Sequence, residues 1–228
     1  MLNNEQITFL AKLANLDIYT YDELIIGVNN RKHSSVIIKH SYDDFRAKMG
    51  KEDIRLHWLL SDKCFLAGGS VLNWVWGEDK NEDIDFFFTN EDSSQNFRAL
   101  INNYGFEETQ STHYALTCFN QEEGLIIQVV GSSSAKSANK KRAEFNGFIP
   151  FGTPEETIGR FDISVCKFSV DCDYIYFTVG AIHDLISMNI NASESRRNTK
   201  QRILKYNRKG FYLPEEEQSE DVSGGSWY

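Results

Sequence analysis

The chain has 228 residues, enough for one domain with a buried core, and its 41% apolar and 25% charged residues are ordinary for a soluble globular protein. Its apolar runs fall short of the roughly 20 residues that a membrane span needs, and its N-terminus lacks the basic and apolar regions of a secretory signal. The net charge of −9 argues against a long nucleic-acid footprint, and the four cysteines form no CxxC pair, so we expect a cytoplasmic protein with reduced thiols and no membrane partner.

The first 60 residues predict a helix, extended chain and a second helix. Apolar spacing places the first helix at 5–16, the extended chain at 17–39 and the second helix at 41–49, which ends at Gly50. We expect residues 1–60 to pack on the domain that follows.

From residue 61 onward, strands and helices alternate irregularly. The predicted elements are a strand at 64–67, a helix from Ser70 to Gly77, a strand at 83–88, a helix at 92–104, two or three strands within 106–130, a helix that starts at Thr153-Pro154, a hairpin of 161–170 and 174–179, and helices near 180–188 and 195–209. This order predicts the α+β class, with a mixed β-sheet flanked by helices. We expect a central domain over 61–180, C-terminal helices over 181–213 and a disordered acidic tail over 214–228.

Two acids stand two residues apart on the strand DIDFFF. Because side chains alternate along a strand, Asp83 and Asp85 should point to one face, with Ile84 and Phe86 in the core on the other. Like charges this close are unfavourable unless a cation lies between them. Carboxylates are ligands that Mg²⁺ prefers, particularly when it also binds phosphates. The pair therefore predicts a magnesium site.

A glycine-rich turn precedes that strand. Gly68 and Gly69 allow the backbone to approach a phosphate closely, and Ser70 opens a helix with free N–H groups and a hydroxyl donor. The strand–turn–helix context predicts a site for the β- and γ-phosphates of a nucleoside triphosphate.

A third acid, Asp162, stands alone in the apolar stretch FDISV. A buried carboxylate is costly unless it is paired or metal-bound. We expect Asp162 on a strand next to the acid pair, as the third carboxylate of a metal site.

The order Gly-Gly-Ser–helix, acid-x-acid strand and later single acid resembles the DNA polymerase beta-type nucleotidyltransferase superfamily. Within it, LAGGSVLNWVW followed by NEDIDFFF is similar to the head domain of poly(A) polymerases and CCA-adding enzymes, as are IIQVV, TPEETIGRFDISVC and RILKYNRKGF. The resemblance covers roughly residues 63–211 and implies that the central domain is the nucleotidyltransferase palm.

The resemblance also implies a two-metal mechanism. One Mg²⁺, held by Asp83, Asp85 and Asp162, would lower the pKa of an acceptor hydroxyl, and a second, held by Asp83 and Asp85, would bind the triphosphate. The hydroxyl attacks the α-phosphorus and pyrophosphate leaves. Mn²⁺ is an alternative cofactor, and the acceptor can be an RNA 3′ end such as that of tRNA, a protein or a small molecule.

Basic residues are concentrated in two blocks. One block spans 136–142, and the other spans 196–209. From the second block we expect Arg202 and Lys205 to contact the nucleotide, together with Lys80, although a solvated face is the usual role of such charges.

Two other functions remain open from the sequence. One is a catalytically degenerate module that only binds nucleotide or RNA, and the other is a synthase of cyclic or oligomeric nucleotides. The sequence does not select the nucleotide, the acceptor or the oligomeric state.

Overall fold

An eight-stranded mixed sheet organises the computed structural model, which describes residues 2–14, 35–77, 83–112, 114–131, 150–192 and 199–213. The strands are β1 (Ile37–Ser41), β2 (Cys64–Ala67), β3 (Ile84–Phe88), β4 (Phe106–Ser111), β5 (Ala115–Asn120), β6 (Leu125–Val130), β7 (Phe168–Val170) and β8 (Tyr174–Thr178). They lie in the order β1-β8-β7-β2-β3-β6-β5-β4. Of these strands, β3 and β6 run parallel, and all other neighbours pair antiparallel.

Helices flank the sheet, which confirms the predicted α+β class. They are α1 (Asn4–Leu13), α2 (Tyr42–Met49), α3 (Gly69–Trp76), α4 (Glu91–Asn102), α5 (Pro154–Gly159), α6 (Val179–Ser187) and α7 (Thr199–Asn207), with 3-10 turns at His57–Leu59 and Ser164–Cys166. Their ends follow local chemistry. Thr153 and Glu156 form a capping box around Pro154, and Gly50 ends α2 in the left-handed region.

The two faces of the sheet are covered differently. On one face, the main apolar core runs from Leu10 in α1 to Phe211 after α7 and includes Phe86 and Phe88 of β3. On the other face, α5 packs on β8, β7 and β2 over a small cluster that includes Phe65 and Ile158. Beyond α5 on this second face, the β6 side chain of Ile126 is 40% exposed. The second face is therefore more open over β3 and β6.

The predicted strand over 161–170 is wrong in its first part. Only Phe168–Val170 is a strand, and residues 164–166 form a 3-10 turn. The backbone N–H of Ser164 donates to Asn191 and Ile163 bridges to Ala192, so this stretch pairs with the chain after α6 instead of joining the sheet. Asp162 is consequently not on a strand.

The N-terminal segment contributes directly to this sheet, since β1 is its edge strand beside β8. The domain boundaries at 60/61 and 180/181 stay predictions. The extended chain expected at 17–34, Lys80, the basic block at 136–142 and the tail at 214–228 lie outside the described residues. Over the part of the chain that is described, the helices are too short or too polar to cross a membrane.

Candidate active site

The acid pair lies where the sequence predicts it, at the start of β3. Ile84, Phe86 and Phe88 are buried in the main core, whereas Asp85 is half-buried and Asp83, just before the strand, is exposed. The alternation of the strand thus turns Asp85 away from the main core. Asp83, two residues earlier, follows the same alternation.

The Gly-Gly-Ser turn lies at the same edge of the sheet as the acid pair. β2 runs antiparallel to β3 with Leu66 opposite Phe86, so the chain that leaves β2 after Ala67 passes beside the start of β3. There Gly68 has φ 87° and ψ −137°, and its N–H donates to the Phe168 carbonyl at 2.9 Å. A β-carbon on Gly68 would lie 3.4 Å from the ring of Phe161. The positive φ therefore favours a glycine, whereas the ring of Phe161 stands at about van der Waals distance.

The hydroxyl of Ser70 is buried in the first turn of α3. Within the described residues, nothing forms a hydrogen bond with Ser70 Oγ. A buried hydroxyl without a partner is uncommon, because its desolvation is not compensated. Here it stands beside the N–H groups at the start of an eight-residue helix. The turn therefore offers a hydroxyl and backbone donors to an anion.

Gln128 lies next to the two acids, although the sequence did not single it out. It lies opposite Asp85 in the parallel pair of β3 and β6, and its Nε2 donates to Oδ2 of Asp83 at 2.9 Å. The one signal for it in the sequence is a single polar residue inside the apolar strand LIIQVV. An amide, and not a carboxylate, thus faces the acid pair from the adjacent strand.

Asp162 lies in a different cluster. Its side chain is fully buried, one carboxylate oxygen accepts from the Arg202 guanidinium, and the other accepts from Thr199 Oγ1 at 2.9 Å. Among the residues that the structure describes, no three His, Cys, Asp or Glu side chains are close enough to share a metal ion. Asp162 is therefore not brought together with Asp83 and Asp85. The guanidinium of Arg202 and the hydroxyl of Thr199 compensate its burial.

A second buried acid adjoins this cluster. Asp184 of α6 accepts from the Ser164 hydroxyl and from Asn191 Nδ2, the latter at 2.6 Å. Burial lowers the pKa of Lys167, and the negative charges of Asp162 and Asp184 oppose that shift. This polar cluster anchors the turn before β7 and the C-terminal helices to each other.

The basic face of α7 is partly used inside the protein. Arg202 binds Asp162, and Lys209 Nζ donates to Asn73 Oδ1 of α3 at 2.8 Å. The side chains of Lys205 and Arg208 are exposed. Of the two α7 residues predicted to contact the nucleotide, Arg202 is thus already paired with Asp162, and Lys205 faces solvent.

Comparison with solved structures identifies proteins of similar fold. The structure of a CCA-adding enzyme in its apo form I is 16% identical over 79% of this chain and 44% of its own, with a TM-score of 0.54. The Thermotoga maritima CCA-adding enzyme complexed with tRNA has 15% identity, the same coverages and a TM-score of 0.51. A CCA-adding enzyme in complex with ATP has 14% identity, coverages of 80% and 45%, and a TM-score of 0.52. The chain is thus similar in fold to these CCA-adding enzymes, as predicted, and it spans less than half of their length.

Sequence comparison adds a family. No curated protein sequence matches the chain. The model of the Gabija anti-defense 2 family matches residues 36–187, which is more than half of the chain. The chain therefore belongs to the Gabija anti-defense 2 family.

Proposed function

We propose that this protein is a divalent-cation-dependent nucleotidyltransferase, which moves a nucleoside monophosphate from a nucleoside triphosphate to a hydroxyl group and releases pyrophosphate. One observation carries the proposal: the Gly68–Ser70 turn and the Asp83–Asp85 pair lie at the same edge of the sheet, on adjacent strands. A phosphate-binding turn beside two carboxylates is what a metal–triphosphate complex requires.

The donor set fits a hard cation. Asp83 and Asp85 provide carboxylate oxygens on a partly open face of the sheet, and Mg²⁺ or Mn²⁺ is commonly held by one or two carboxylates together with substrate phosphates. When bound, such an ion would neutralise charge on the triphosphate and polarise the phosphorus that is attacked. Asp162, which is paired with Arg202, is not included in this ligand set.

The residues of the turn bind and orient the triphosphate in this proposal. The lack of a β-carbon at Gly68 allows close approach, and the N–H groups at the start of α3 together with Ser70 Oγ donate to phosphate oxygens. Fixed donors of this kind favour the charge that develops on the leaving pyrophosphate. Lys80 stays a proposed phosphate contact, and the exposed Lys205 and Arg208 are proposed contacts for the acceptor.

The biological role that we propose follows from the family. Membership of the Gabija anti-defense 2 family supports a role of the transfer reaction in countering Gabija defence. Two enzymes of similar fold were solved with ATP or with tRNA, which supports a nucleotide donor and leaves RNA and protein open as acceptors. A synthase of cyclic or oligomeric nucleotides would instead use a second nucleotide as acceptor.

A second candidate function is a module that binds nucleotide without turnover. Gln128 is the specific observation in its favour, because it presents an amide where a third carboxylate would complete a two-metal site. Binding of the triphosphate needs only the turn and the acid pair, whereas transfer also needs an activated acceptor.

Labelled transfer separates these functions. The protein is incubated with each of the four α-³²P ribonucleoside triphosphates, Mg²⁺ and an extract of cells that carry Gabija. Label in large molecules that ribonuclease or protease removes would identify an RNA or protein acceptor, and a small labelled nucleotide would identify a synthase. Binding without either product would favour the module.

The matched variants are Asp83→Asn with Asp85→Asn, and Glu122→Gln with Glu123→Gln on the exposed turn after β5. Both pairs remove two negative charges. The first pair should abolish transfer and the second should leave it intact. Transfer by the Asp83/Asp85 variant at the rate of the native protein would overturn the proposal.

A further inference from the structure

Gln128 limits how many cations the acid pair can hold. Resting on the proposed function, we infer that the site binds one divalent cation with each bound triphosphate, and that Gln128 prevents the second.

The strands on either side of the acid pair present an amide and apolar side chains to it. On β6, the residue opposite Asp85 is Gln128, and its neighbours on the same face, Ile126 and Val130, are apolar. On β2, the residues of this face are Phe65 and Ala67. Within the described part of the chain, the two adjacent strands therefore add no carboxylate to Asp83 and Asp85.

The Gln128 amide turns its NH₂ group toward Asp83. A carboxylate only accepts hydrogen bonds, so the group that Gln128 presents to Asp83 Oδ2 at 2.9 Å must be its NH₂. This NH₂ carries partial positive charge and occupies the side of Asp83 that faces β6. A cation bound there would lie against a positive dipole and would have to break the bond between Gln128 and Asp83.

The two ions of a two-metal site would take their oxygen ligands from different sources. An ion on the triphosphate receives several of its six oxygens from phosphates and water, so one or two protein carboxylates are sufficient for it. An ion on the acceptor side receives few phosphate oxygens and depends on protein carboxylates. Asp162 is not available to it, because Arg202 and Thr199 occupy both of its oxygens. The structure thus supports the first ion and disfavours the second.

The consequence is that the acceptor hydroxyl is not activated by a cation of its own. The acceptor then has to be delivered in a fixed position. Replacing Gln128 by Glu would add the missing carboxylate and remove the NH₂ dipole. It should therefore create the second ion site.

Counting Mn²⁺ tests this inference without turnover. The full chain is saturated with α,β-methylene-ATP or, if another base binds better, with the corresponding analogue. It is then titrated with Mn²⁺ while free Mn²⁺ is followed by electron paramagnetic resonance. We expect one Mn²⁺ per protein–nucleotide complex for the native chain, two for Gln128→Glu and one for Gln128→Leu. Gln128→Leu is the matched control because it removes the amide without adding charge.

The outcomes distinguish the inference from the proposed function. Two ions in the native complex, or one ion in Gln128→Glu whose fold is shown intact by circular dichroism, would overturn the inference and leave the function standing. Absence of both Mn²⁺ and nucleotide binding in the native chain would overturn the proposed function and, with it, the inference.

Discussion

Removing Arg202 should destabilise the protein more than removing the charge of Asp162, because the two partners of this ion pair differ in burial. The Asp162 side chain is fully buried, whereas that of Arg202 is 34% exposed. Arg202→Ala leaves a buried carboxylate with the hydrogen bond from Thr199 and the more distant charge of Lys167, a loss of the kind that costs about 3–5 kcal/mol in a fully buried pair. Because solvent screens the exposed part of Arg202, we expect about 2–4 kcal/mol. For a chain of this size that lowers the midpoint of thermal unfolding by about 4–16 °C.

Asp162→Asn should cost less. The asparagine still accepts hydrogen bonds, and a partly exposed Arg202 can turn its charge toward water, so we expect about 1–2 kcal/mol. The double variant should be no less stable than Arg202→Ala alone, because the carboxylate that has lost its guanidinium partner is gone. Asp162→Asn should also bind Mn²⁺ and triphosphate like the native chain.

Circular dichroism on heating, with urea titration for the free energies of unfolding, measures all three variants. The reasoning is refuted if Arg202→Ala unfolds within 0.5 kcal/mol of the native chain, which is about the effect of an ordinary surface substitution. A loss of Mn²⁺ binding in a stable Asp162→Asn variant would instead return Asp162 to the metal site.

Three further predictions concern single residues. Ser70→Ala should leave stability within about 0.5 kcal/mol, since the hydroxyl has no partner among the described residues, but it should weaken triphosphate binding about 3- to 10-fold in isothermal titration. Gly68→Ala should lower the free energy of unfolding in urea by about 1–3 kcal/mol because of the positive φ at this position. Gly159→Ala, in open space within α5, should be neutral or stabilising. Equal effects of the two substitutions would contradict the backbone strain expected at Gly68. Burial raises the pKa of Tyr42 to about 12, above its usual 10. The stability that this residue contributes is therefore present below pH 10 and is lost between pH 10 and 12. Tyr42→Phe should remove the loss of stability over this pH range, and an unchanged dependence of stability on pH would refute the role of Tyr42.

Local chemistry made much of the fold predictable. The helix ends at Gly50 and Gly77 and the start at Thr153-Pro154 follow from capping rules that involve only neighbouring residues. The burial alternation of β3 follows from the period of two in IDFFF. These features depend on neighbours in the sequence, and the structure has them where the sequence predicts them.

The parts of the site that the sequence does not reveal depend on partners that are distant in the sequence. A single acid in an apolar stretch predicts that Asp162 needs compensation, but it does not show whether the partner is a metal ion or an arginine 40 residues later. The same distance hides that Arg202 is used inside the protein. Gln128 was missed because a neutral amide carries no chemical signal until the parallel register places it opposite Asp85.

Magnesium-dependent binding of a nucleoside triphosphate to the acid pair is the central claim. The most direct test is thermal unfolding with each of the four ribonucleoside triphosphates, with and without Mg²⁺. The comparison includes the native chain, Asp83→Asn with Asp85→Asn, and the Glu122→Gln with Glu123→Gln control. A metal–triphosphate site predicts a rise in unfolding temperature that requires Mg²⁺, persists in the control and disappears in the Asp83/Asp85 variant. No rise with any triphosphate, or an equal rise in the Asp83/Asp85 variant, would contradict the account.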